Sequence, residues 1–166
     1  MSRKILVPIA FSSYSKGIIE YGMGLAGPLG AKLLIANVVN ERSIEAIEKV
    51  ASHGFKVDSD KYIATIQKER LDQLAQMMEE LKIADDAYDY TLKIGDPATE
   101  LLHLVVSENI DLVVMGTRTR ELSRIFTGSV AERMFRRCPV PILFHRGGDV
   151  ADELMKKINR EMATKS

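Results

Sequence analysis

Five short apolar runs separated by helical patterns constrain this chain more than any other feature. They are Lys4 to Ile9 (KILVPI), Lys32 to Val39 (KLLIANVV), Ala87 to Leu92 (AYDYTL), Leu112 to Met115 (LVVM) and Val140 to Phe144 (VPILF). The first is nearly continuous, as expected of a strand covered on both faces, whereas the third alternates with period two and reads as less buried. Between them, Ser12 and Ser13 offer an N-cap for a helix through Leu29, with Ile18, Ile19, Met23 and Ala26 on one stripe and Gly27-Pro28 and Gly30 at its end. Asn40 to about Leu81 is charged and helical, with Leu71, Leu74, Met77, Met78 and Leu81 at helical spacing. Asp96-Pro97 opens a helix with Leu101, Leu102, Val105 and Val106 inward, and Ser129 to Arg137 forms a short one. Strands alternating with helices imply right-handed crossovers and a parallel sheet with helices on both faces, an α/β domain. Ligands of such sheets sit beyond the carboxyl ends of the strands. That rule selects Pro8 to Ser13, Val38 to Arg42 and Gly116 to Ser129.

Charge and cysteine content narrow the function. Lysine plus arginine number 23 and aspartate plus glutamate number 23, so no broad field favours nucleic acid or an anionic membrane. The single Cys138 excludes an internal disulfide framework, and His53, His103 and His145 have no metal spacing. No apolar run reaches the ~18 residues of a membrane span, and MSRKILVPIAFSS lacks the pattern of a signal peptide. The expectation is a soluble intracellular protein. Gly147-Gly148 marks a break between a domain over 1–146 and a tail over 147–166, whose Val150, Leu154 and Ile158 suit a short amphipathic helix.

One apparent motif is a decoy. Gly22, Gly24 and Gly27 spell G-x-G-x-x-G, but a dinucleotide fingerprint lies directly between strand and helix, and these glycines fall inside the helix. Close packing on the sheet is the role expected of them. Neither a P-loop nor a G-x-S-x-G nucleophile elbow occurs. The informative segment is Leu112 to Arg137, which holds six arginines, among them Arg118, Arg120 and Arg124, against Glu121 and Glu132. Gly116 follows a buried strand, and Gly128-Ser129 begins a helix whose free amides and hydroxyl make a phosphate cradle. A capped helix beside a solvated basic loop accounts for the same residues.

KILVPIAFSSYS, GDPATELL, IDLVVMG and TGSVAERMFRRCPVPILFHR, in this order, resemble the universal stress protein family over Lys4 to Arg146. The resemblance implies a Rossmann-like, five-stranded parallel sheet of the adenine nucleotide alpha hydrolase-like kind, in the order 3-2-1-4-5. It also implies a cytoplasmic homodimer with a role in stress tolerance, and in many members ATP binding. Carried over by position, Pro8, Ile9, Ala10 and Val38 would meet base and ribose, Met115 and Gly116 the base and sugar side, and Arg118, Thr119, Gly128, Ser129 and Val130 the phosphates. The last strand would pair with its own copy, Val140, Ile142 and Phe144 at the interface and Leu143 in the core.

Three departures bear on ATP. The second glycine of the G-x-x-G pattern is Thr119, the loop to Gly128 has eight residues where ATP-binding members have nine, and Ala10 stands where the family usually has aspartate. Any Mg²⁺ would then be held mainly through phosphate oxygens. Two other readings stay open: an interaction module that has lost ATP, and a slow ATPase for which Glu121 is the only loop acid.

Overall fold

A computed structural model describes residues 3–53, 58–117 and 129–164. Its strands are β1 (Arg3–Pro8), β2 (Ala31–Asn40), β3 (Tyr88–Gly95), β4 (Leu112–Gly116) and β5 (Ile142–His145). The helices are α1 (Ser15–Leu29), α2 (Glu41–Ser52), α3 (Ser59–Leu81), α4 (Pro97–Ser107), α5 (Val130–Arg137) and α6 (Gly148–Ala163). All pairings are parallel, and the sheet order is β3-β2-β1-β4-β5, as expected.

The period of two in the central strands sorts their side chains into two cores. Ile5, Val7, Leu33, Ile35 and Val114 face α1 and α3, meeting Ile18, Ile19, Ala26, Leu74 and Met78. Leu6, Leu34, Ala36, Val113 and Met115 face α4 and α5, meeting Leu101, Leu104, Val105 and Met134. Both faces of β1, β2 and β4 are therefore dry, which is why their sequences read as unbroken apolar runs.

Several local expectations are corrected. Ser12 and Ser13 do not cap α1: its N-cap is Tyr14, which makes no side-chain cap bond. Instead Ser15 N–H donates to the Ser12 carbonyl at 3.0 Å and Ser15 Oγ accepts from Ser12 N–H at 3.0 Å, closing a polar turn before the helix. Of the three glycines in the decoy motif only Gly22 packs on the sheet; an added Cβ there would lie 3.0 Å from Val7 Cγ2, whereas nothing approaches Gly24 or Gly27. Val106 is 69% and Leu71 53% exposed, because the inward stripes of α4 and α3 are narrower than their apolar residues suggest. β5 begins at Ile142 rather than Val140, since Pro139 and Pro141 have no N–H for the ladder. In the tail, Val150 is buried at 4%, Leu154 is half-buried and Ile158 is exposed, so α6 docks by its first turn.

Candidate functional site

The carboxyl ends of β1, β2 and β4 open onto a cavity of about 290 Å³, near the lower size of small-ligand sites. Seven of the expected residues line it: Pro8, Ile9, Ala10, Val38, Met115, Gly116 and Val130. Ser12, Tyr14, Ser15, Ile18, Ala36, Pro97, Leu101 and Thr117 complete the wall. Arg118, Thr119 and Gly128 lie outside the described residues, as do Arg120, Glu121 and Arg124. Ser129 stands beside the cavity rather than in its wall, next to Val130.

Each wall segment is fixed by a specific contact. Ile9 N–H continues the sheet ladder to the Ala36 carbonyl at 2.8 Å, and Asn37 Nδ2 donates to the Ile9 carbonyl at 2.8 Å. Asn37, 5% exposed in the middle of apolar β2, thus holds the turn after β1. Phe11 enters that turn with φ of 51°, an uncommon conformation for a bulky residue, and its ring lies under the Arg70 guanidinium at 4.9 Å. At Gly116 a Cβ would sit 2.5 Å from Ile18 Cδ1, so any side chain there would have to displace the end of Ile18, and glycine lets the end of β4 close on α1 as it stands.

The N-termini of α4 and α5 meet at the cavity, held by one carboxylate. Asp96 caps α4, Oδ1 accepting from Thr99 N–H at 3.0 Å and from the Thr99 hydroxyl at 2.6 Å. Arg133 of α5 grips the same carboxylate bidentately, Nη1 to Oδ2 and Nη2 to Oδ1, both at 2.7 Å. Arg133 and Thr99 hold the Asp96 carboxyl well below the usual aspartate range. Because the folded value is depressed, this stabilisation is complete above the ordinary value of 3.8 and fades only as pH falls through the folded one. Asp96→Asn separates the two roles, since asparagine caps a helix as well as aspartate but cannot form the ion pair. Amide exchange over α5 should quicken while that over α4 stays unchanged; equal quickening of both would show that Asp96 acts only as a cap.

Ser129 is the N-cap of α5, and its Oγ accepts from Glu132 N–H at 3.1 Å. The hydroxyl oxygen is therefore engaged by its own helix, while its hydrogen can still be donated outward. Among the described residues no carboxylate, imidazole or amine lines the cavity, and these residues contain no cluster of three or more metal-ligating side chains. The arrangement can enclose a flat apolar group between β2, β4 and α4 and present helix-start amides to an anion.

The asparagine interrupting apolar β2 is a sign, legible in the sequence, of the polar tie to the Ile9 carbonyl. The meeting of Asp96 with Arg133 had no sequence signal, because 37 positions separate them.

The universal stress protein family model matches residues 1–146. A universal stress protein of Methanocaldococcus jannaschii is 27% identical over 144 residues, covering 85% of this chain and 80% of its own. Among solved structures, UspA from Lactobacillus plantarum superposes with a TM-score of 0.68 at 18% identity, over 87% of this chain and 97% of its own. A universal stress protein in complex with cAMP superposes with a TM-score of 0.58 at 19% identity, over 87% and 97%. With the matching model extending over both core layers and every wall segment of the cavity, the chain belongs to the universal stress protein family.

Proposed function

We propose that this protein is a cytoplasmic, homodimeric stress-response module that binds ATP or another adenine nucleotide. The observation that carries the reading is the convergence of Pro8, Ile9, Ala10, Val38, Met115, Gly116 and Val130 on one cavity beside the start of α5. The likeness to a protein solved with cAMP supports the same ligand class. Dimerisation is proposed through β5, an edge strand.

The residues present fit a nucleotide whose metal is held by its own phosphates. Ala10 lines the cavity and is exposed, so no protein carboxylate reaches a cation from that position. Calorimetry with ATP, AMP and cAMP, each in Mg²⁺ and in chelator, tests the reading. One nucleotide should bind, with affinity little changed by removing Mg²⁺. Strong Mg²⁺ dependence would show a protein ligand to the metal, contrary to the proposal. Absence of binding by all three would favour the nucleotide-independent interaction module, a reading that the engaged Ser129 Oγ also supports.

A further inference from the structure

We propose that the C-terminal helix α6, which lies beyond the family match, is a working part of the ligand site through a brace on Tyr14. The inference rests on the nucleotide reading above. Tyr14 belongs to two structures at once: it lines the cavity and is the N-cap residue of α1. No side-chain cap bond steadies it there, so its position depends on what touches its ring and hydroxyl.

Both are held by the start of α6. Tyr14 Oη donates to Asp149 Oδ2 at 3.1 Å. Gly147 packs so closely on the ring that a Cβ would lie 2.7 Å from Tyr14 Cδ1 and 3.1 Å from Cε1. Gly147 has φ of −65°, which any residue adopts, so the glycine serves close approach rather than chain geometry. One residue after Asp149, Val150 is buried at 4% and anchors the first turn. Further along, Leu154 is half-buried while Met155 and Ile158 are exposed at 65% and 54%, so the docking is strongest in the segment that meets Tyr14 and fades beyond it. A helix held only for general stability would bury a stripe along its length. This one is docked most firmly where it holds a wall residue of the cavity.

Ligand pressing on Tyr14 and α6 gripping Tyr14 share one side chain, and any coupling between them changes each equilibrium constant by the same factor. Occupancy of the cavity therefore sets how firmly the first turn of α6 is held. In the full-length protein, saturating ATP should slow amide exchange at residues 150–152 several-fold relative to the free protein. Tyr14→Phe, which keeps the ring and removes the hydroxyl, should weaken ATP about fivefold, within the range of one net hydrogen bond, and abolish that protection. Gly147→Ala should also weaken ATP and quicken exchange at the first turn of α1, with the far-ultraviolet spectrum unchanged. ATP binding with no change at residues 150–152 would overturn the coupling. If wild type binds no nucleotide, the site reading fails and the brace is judged alone: quicker α1 exchange in Gly147→Ala upholds it, unchanged exchange overturns it.

Discussion

Ser129→Asp is expected to weaken ATP binding on the order of a hundredfold while leaving stability unchanged or slightly raised. Aspartate caps helices as well as serine does, so the bond to Glu132 N–H is preserved. A negative charge at a helix N-terminus is also favourable by about 0.3–1 kcal/mol. The same charge beside Val130 in the cavity wall would oppose phosphate. Two unit charges about 5 Å apart repel by about 3 kcal/mol at an effective dielectric near 20. That corresponds to on the order of a hundredfold in affinity. Calorimetry and urea denaturation on one preparation give both quantities. A loss of binding alone cannot then be ascribed to damaged structure, whereas equal affinity in the variant would move the phosphates away from α5.

The central fold was legible because its signal is dense. β1, β2 and β4 are buried on both faces, so nearly every residue in them reports the same state, and Gly30 ends α1 in the left-handed conformation glycine favours. The edges were read less well. β3 runs on to Gly95, three residues past the alternation in AYDYTL, because its Lys93, Ile94 and Gly95 still pair with Val38, Val39 and Asn40 although the side chains of Lys93 and Ile94 are exposed. Pairing, not patterning, decides such residues. The failure at Val106 has the opposite cause: an apolar residue can sit outward on a helix at little cost, so apolarity alone does not locate the core.

The cavity was legible in part for a related reason. Strand-end residues such as Pro8, Val38 and Gly116 follow from topology, and topology follows from the alternation. Nothing in the sequence around Tyr14 marks it, because its importance comes from Asp149, 135 positions away. Contacts of that kind leave no local trace in composition or spacing. Ser12 and Ser13, expected to cap α1, do not; the serine that matters is Ser15, whose Oγ serves the turn before α1 and which also lines the cavity, so one polar residue answers both demands.

Phe144→Pro is expected to convert a dimer into a folded monomer, a larger change than any side-chain substitution on the same strand should give. Val113 N–H donates to the Pro141 carbonyl and Thr117 N–H to the His145 carbonyl. Parallel pairing then directs the backbone groups of Ile142 and Phe144 away from β4, toward the free edge. The side chains of both residues pack inward on the α4–α5 core, and Leu143 packs on the opposite one. Ile142→Glu would therefore destabilise the protomer as well as any interface, and its effect on assembly would be ambiguous. Proline at 144 removes an outward N–H, places its ring where a partner strand would approach, and leaves the β4 ladder intact. The lost aromatic packing costs about 1–2 kcal/mol for a half-buried ring, which Phe144→Val reproduces while keeping the N–H. Sedimentation should show wild type and Phe144→Val as dimers and Phe144→Pro as a monomer with the wild-type far-ultraviolet spectrum. A dimer that survives proline places the interface elsewhere on the surface, and a monomeric wild type overturns the pairing altogether.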